Sequence, residues 1–238
     1  MIIIPARLSS SRLKNKVLEK IGTMPMIIWC CNVAKEVDDV VVATDSKEVA
    51  DVCNSYGFEA VLTSSLHQSG SDRIKEASDI LKLQDNEVVI NMQGDEPFLE
   101  GEILEKVKDE VLKLKRDFKM VSCYKEISEL EAEDSNLVKV VIDKNSDALY
   151  FSRSKIPFNR DNLSYTYKGH IGVYGFDKKS LDKFVNMKGS LEHIEKLEQL
   201  RVLENQEKIK MVKVNTNSFG IDTIEDLQKA RDYVKSSS

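Results

Sequence analysis

The sequence is short of the features that mark nucleic-acid, membrane and disulfide proteins. Positive charge is not in excess: 35 Lys and Arg stand against 40 Asp and Glu, a formal net charge of -5. Without a basic surface to neutralise phosphates, no nucleic-acid partner is expected. Long apolar runs are also missing. The opening Met1–Ile4 stretch falls short of the roughly 7–15 residues of a signal-peptide core, and nothing later approaches the ~20 of a membrane span. No membrane insertion and a cytoplasmic location are therefore expected. The four cysteines, Cys30, Cys31, Cys53 and Cys123, form no C-x-x-C pair and lie near no histidine at zinc-ligand spacing; they read as reduced, buried thiols. No flexible linker interrupts the 238 residues, so a single domain over 1–238 is expected.

What is present is an alternation of apolar strands with helices. Met1–Ile4, Asp39–Thr44, Phe58–Thr63 and Glu87–Met92 are short, continuously apolar or β-branched runs. Helical patterns over 24–36, 47–56, 71–83 and 101–116 lie between and after them. Strands apolar throughout, rather than alternating, predict a mainly parallel, Rossmann-like sheet covered on both faces. From about residue 120 to 176 the candidate strands crowd together, at Met120–Tyr124, Leu137–Ile142, Ala148–Ser152 and His170–Phe176, which predicts a mixed or antiparallel section. The spacing of Ile194, Leu197, Leu200, Arg201 and Leu203 then predicts one helix over Leu191–Glu204, followed by a strand at Ile209–Val214 and a terminal helix.

Three loops carry chemistry-bearing residues at strand ends, where an open α/β sheet binds ligands. The first, after Met1–Ile4, places Arg7, Arg12 and Lys16 together. Guanidinium groups grip phosphate oxygens bidentately and lysine adds a compact charge, so this loop suits a triphosphate, although it lacks the glycines of the Walker and Rossmann patterns. The second, Gln93-Gly94-Asp95-Glu96-Pro97, follows a mid-sheet strand, and the third, Gly220-Ile221-Asp222-Thr223, follows a late one. Asp95 and Asp222 suit magnesium, which commonly takes one or two carboxylates and completes its shell with phosphate and water. A turn at His67-Gln68-Ser69-Gly70-Ser71-Asp72-Arg73 opens a helix, where N–H groups meet an anion or base. Glu195 and Gln199 fall one helical turn apart, and His170 sits in a strand.

In order, PARLSSSRL, VVATD, HQSGSDR, NMQGDEP, NLVKVVID, ALYFSR, GHIGVYGF, LEHIEKLEQLRVL and GIDTIEDL resemble the CMP-KDO synthetase family, the 3-deoxy-manno-octulosonate (KDO) cytidylyltransferases of lipopolysaccharide biosynthesis. The resemblance runs over nearly the whole chain. It implies an α/β fold of the nucleotide-diphospho-sugar transferase type, with a smaller mixed-sheet arm over about 120–176 that serves sugar binding and homodimerisation. It implies an enzyme that joins CMP from CTP to KDO with Mg²⁺. Arg7, Arg12 and Lys16 would meet the CTP phosphates, and Ala6, Ser69, Gly70 and Arg73 the cytidine. Asp95 and Asp222 would hold the metal, with Arg7, Lys16, Asp95 and Asp222 as the catalytic set. Gln93, Arg153, His170, Tyr174, Glu195 and Gln199 would surround the sugar acid, Arg153 facing its carboxylate. Leu13-Lys14-Asn15-Lys16 departs from the family's R-L-P-G-K, losing its proline and glycine but keeping the lysine. Alternatives are a cytidylyltransferase for 8-amino-KDO or another acidic sugar, and a non-catalytic nucleotide-binding regulator.

Overall fold

The computed structural model describes residues 1–8, 13, 15–67 and 69–236. Its elements in chain order are β1 (Ile2–Ala6), β2 (Lys20–Ile21), β3 (Met24–Pro25), α1 (Met26–Lys35), β4 (Val40–Thr44), α2 (Lys47–Ser55), β5 (Glu59–Leu62), α3 (Gly70–Ile80) and β6 (Val88–Asn91). Then come α4 (Gly101–Lys113), β7 (Met120–Ile127), α5 (Glu129–Ala132), β8 (Lys139–Ile142), β9 (Ala148–Ser152), β10 (Tyr167–Asp177), α6 (Lys178–Asn186), α7 (Leu191–Glu195), α8 (Leu200–Glu204), β11 (Lys210–Lys213) and α9 (Ile224–Ser236).

The main sheet runs β11-β7-β10-β6-β1-β4-β5, with β8 and β9 branching from β10. β1 pairs in parallel with β4 and β6, placing Ile3 opposite Val41 and Ile2 opposite Ile90. β10 runs antiparallel between β6 and β7, and β11 is parallel to β7. The fold is thus α/β with a mixed, mostly parallel sheet. Of the strands expected to form a separate mixed section, β7 and β10 complete the main sheet and only the β8–β9 hairpin stands off it.

β1 has no polar face because both faces are covered. Ile2 and Ile4 pack with Ile27, Cys30, Val49 and Leu104 on one side, while Ile3 packs with Val41, Ile74, Leu181 and Phe184 on the other. Each such isoleucine contributes about 1.5–3 kcal/mol by leaving water. The four cysteines are free and buried. No helix of the described residues is long and apolar enough to cross a membrane.

Because β7 is antiparallel to β10, and β10 to β6, the strands β1, β6, β7 and β11 point the same way. Their carboxyl ends, and the loops that follow β1, β6 and β11, therefore open on one edge of the sheet. A second apolar cluster fixes the last of these loops: Ile221, Leu227 and Ala230 pack on Ile21 and Met26. Phe98 and Phe219, in the two segments that carry Asp95 and Asp222, meet with ring centroids 5.3 Å apart.

Candidate active site

Lys16, in a short 3-10 turn, is 9% exposed and reaches the sheet edge. Its Nζ donates to Asp95 Oδ2 at 2.6 Å and to Asp222 Oδ1 at 2.9 Å. Burial pulls the ammonium's pKa down, but the two carboxylates more than offset this, and the net shift is upward. The two aspartate loops are also joined directly, Ile221 N–H donating to the Asp95 carbonyl at 2.9 Å. Close approach of the β6 loop requires a glycine: a Cβ on Gly94 would lie 3.2 Å from the Pro5 carbonyl oxygen and 3.3 Å from Ile27 Cδ1. A third acid stands beside them. Ser218 Oγ donates to Glu96 Oε2, and burial, reinforced by the Asp95 charge, pushes the Glu96 carboxyl up to about 7.

This cluster opens on a cavity of about 400 Å³ whose lining includes Arg7, Lys16, Ser69, Gly70, Arg73, Gln93, Asp95 and Asp222. Arg12 lies outside the described residues. Ala6 ends β1, buried, between Pro5 and Arg7, which both line the cavity. Ser69 caps α3, its Oγ accepting from Asp72 N–H. The first N–H groups of that helix have no intrahelical acceptor, and they carry the positive end of its dipole. Arg73 is 3% exposed and its fork is engaged, with Nη2 on Asp45 at 2.9 Å and Nη1 on Thr63 Oγ1 at 2.6 Å. It is therefore a fixed part of the wall.

A second cavity of about 230 Å³ adjoins the first, and Gly70, Gln93 and Glu198 line both. Register shifts between Ile171 and Tyr174 as β10 passes β7, a bulge of the kind that re-aims side chains beside functional sites. Gly172 and Tyr174 both line this cavity. Tyr174 Oη donates to Gln199 Oε1 at 3.2 Å, and Gln199 Nε2 is buried without a partner. Burial raises the Tyr174 hydroxyl well above its usual pKa, so it stays a donor.

The helix expected over Leu191–Glu204 is broken. α7 ends at Glu195, capped by the left-handed Lys196 (φ 56, ψ 47), and α8 begins only at Leu200. Glu195 and Gln199 consequently do not share a face, and Ile194, expected on the apolar side, is 81% exposed. Glu195 takes Ser152 Oγ and the Arg153 N–H, while Gln199 faces Tyr174. Neither Arg153 nor Glu195 is among the described residues lining the two cavities. His170 stands behind Tyr174, ring centroids 5.6 Å apart, with Nε2 2.9 Å from Ser122 Oγ.

Two lining residues were not among the expected nucleotide, metal or sugar contacts. Glu198 lines both cavities and accepts from Ser71 Oγ at 2.7 Å, and burial raises its pKa. His67 lines the larger cavity, its Nε2 2.5 Å from Glu76 Oε2. His67 stands in the HQSGSDR turn and was legible there, but Glu198 was masked by the helical pattern around it.

Comparison with known proteins agrees with this geometry. Residues 1–209 match the family described as Cytidylyltransferase. A 3-deoxy-manno-octulosonate cytidylyltransferase of Wolinella succinogenes is 50% identical over 237 residues, covering 97% of both chains, and one of Helicobacter pylori is 49% identical over 239 residues, covering 97% of this chain and 96% of the relative. A solved CMP:2-keto-3-deoxy-manno-octonic acid synthetase complexed with CTP superposes with a TM-score of 0.93 at 34% identity, covering 100% of this chain and 98% of that one. A cytidylyltransferase from Leptospira borgpetersenii, at 16% identity and a TM-score of 0.64 over 99% of this chain and 86% of its own, shares the fold. The chain belongs to the cytidylyltransferase family and, within it, to the 3-deoxy-manno-octulosonate cytidylyltransferases.

Proposed function

We propose that this chain transfers CMP from CTP to the anomeric hydroxyl of KDO, releasing pyrophosphate, for lipopolysaccharide biosynthesis. The observation that carries the reading is the convergence of Lys16, Asp95 and Asp222 beside two connected cavities. The larger takes CTP: Arg7 and Lys16 meet the phosphates, while Ala6, Ser69, Gly70 and Arg73 surround the cytidine. The smaller takes the sugar acid, with Gln93 between the substrates and Tyr174 and Gln199 on the far wall. The unpaired Nε2 of Gln199 is a donor that a sugar hydroxyl or carboxylate oxygen satisfies.

Two carboxylates already gathered around one ammonium fit a divalent cation. Among the described residues no group of three or more His, Cys, Asp or Glu could hold a metal alone. Asp95 and Asp222 would hold magnesium, which commonly takes one or two carboxylates, and the ion would supply charge neutralisation and a more acidic acceptor hydroxyl. The protein's own part is positional. Arg7 and Lys16 draw the triphosphate into line, the second cavity holds the acceptor against it, and no covalent nucleophile is required.

Exposed Phe158, Leu163 and Leu149, at 86%, 69% and 58%, support a homodimer formed through the β8–β9 region. Four free thiols support a reducing cytoplasm. The deciding assay is pyrophosphate release from CTP and Mg²⁺ with KDO, its 8-amino form and N-acetylneuraminate compared. Release with KDO upholds the reading; release only with the 8-amino form transfers it to that sugar, and release only with neuraminate, or with none, overturns it.

A further inference from the structure

The smaller cavity owes one wall to a segment with little means of holding its own shape. Lys196, Leu197, Glu198 and Gln199 all line it, and they connect two five-residue helices, α7 and α8. Helices this short are not stable in isolation. The segment starts at a left-handed lysine, and immediately before that turn stands Glu195.

Glu195 is tied to the end of β9 by three hydrogen bonds. Its carboxylate accepts Ser152 Oγ at 2.7 Å and the Arg153 N–H at 2.9 Å, and its carbonyl accepts Arg153 Nε at 2.8 Å. The far side is anchored as well. Arg153 Nη1 donates to the Ser135 carbonyl, and the wholly buried Lys139 donates to the carbonyls of Arg153 and Asp134 at 2.5 and 2.7 Å. Ser152 is 3% exposed and lines neither cavity.

We infer that Glu195 is a positioning residue, which anchors the 196–199 wall to the β8–β9 hairpin and so sets the acceptor side of the site without touching the acceptor. The inference rests on the reading of the smaller cavity as the acceptor site, and one of its readouts is independent of that reading. A latch of this kind lets whatever steadies the hairpin steady acceptor binding, with less effect on the nucleotide side, which is built on β1, α3 and β6 and meets this wall through Glu198 and Ser71.

Glu195→Gln, Glu195→Ala and Ser152→Ala test it, Ser152→Ala being the mildest should the others fold poorly. Amide hydrogen exchange, needing no substrate, is expected to speed up at Leu197 and Leu200 in each variant and to stay unchanged in β1 and β4. In turnover assays the KM for KDO is expected to rise about tenfold in Glu195→Ala, the cost of losing roughly one to two positioning hydrogen bonds. CTP affinity measured without sugar is expected to stay within about twofold of the native value. The double variant Ser152→Ala/Glu195→Ala is expected to cost less than the sum of the two single variants, because the Ser152–Glu195 bond is lost in both. Unchanged exchange at Leu197 and Leu200 overturns the latch whichever sugar is used. A Ser152→Ala enzyme with native KM for KDO, beside a damaged Glu195→Ala, overturns it in favour of direct contact. Failure of the native enzyme to use KDO tells against the acceptor reading, with the exchange result still deciding the latch.

Discussion

Replacing Gln199 with methionine should make the protein more stable and a poorer enzyme. The buried Nε2 has no partner, and an unsatisfied buried donor costs about 1–3 kcal/mol. Methionine removes that donor at similar volume, but it also removes the acceptor for Tyr174 Oη, a loss of about 1 kcal/mol. Tyr174 lines the cavity, where water can take the place of the lost acceptor. The net is a gain of roughly 0–2 kcal/mol, which for a chain of this length raises Tm by up to about 6 °C. In the same variant the KM for KDO should rise at least tenfold, since an acceptor oxygen loses its donor by about 1.4 kcal/mol or more, while CTP binding holds. Differential scanning fluorimetry with and without each substrate reads both effects, because a ligand that binds only the folded state raises Tm. A Tm lowered by more than about 3 °C, roughly 1 kcal/mol at this size, would refute the cost assigned to Nε2. An unchanged KM for KDO would refute its placement on the acceptor.

Asp95→Asn should keep the far-ultraviolet circular dichroism of the native protein while pyrophosphate release falls by at least ~10²-fold; near-normal release would remove Asp95 from the metal site. Gly175→Ala should destabilise by about 1–3 kcal/mol in urea titration, since its Cβ would lie 2.6 Å from Val107 Cγ1 and 2.7 Å from Val111 Cγ2. A neutral result would mean that α4 can lift from the sheet at no cost. Burial lowers His170 from its usual 6.5 to about 3. The unfolded chain therefore binds a proton that the folded one refuses, and stability should be complete above pH 6.5 and fall steadily toward pH 3. The decline should be shallower in His170→Gln, as followed by chemical denaturation between pH 7 and 4; identical slopes would show that His170 is not the group responsible.

The parallel half of the sheet was legible because β1, β4 and β6 are apolar on both faces, a pattern that only a doubly covered strand needs. Arg7, Lys16 and Asp95 were legible for a related reason: they follow such strands, and parallel strands deliver their loops to one edge, which Asp222 reaches from the partly exposed edge strand β11. The break at Lys196 was not legible. Ile194, Leu197 and Leu200 keep helical spacing across it, and what ends the helix is a tertiary demand, Glu195 being drawn to β9 while Gln199 turns to Tyr174. The mixed section was seen as one block because four short strands look alike in sequence. Pairing partners far away in the chain decide that β7 and β10 join the main sheet while β8 and β9 branch away. The second cavity's anatomy depends on these distant pairings, so its residues rested on family resemblance more than on pattern.

Lys16 Nζ lies between Asp95 and Asp222, so if these aspartates hold the proposed ion, loading would be an exchange of ions. A bare divalent ion would have to evict a positive group from both carboxylates and leave it in a poorly solvated spot. A nucleotide arriving together with its ion would bring phosphate oxygens able to receive the lysine. A resting site of this kind would be kept from gathering stray cations and would open most readily to nucleotide and ion together.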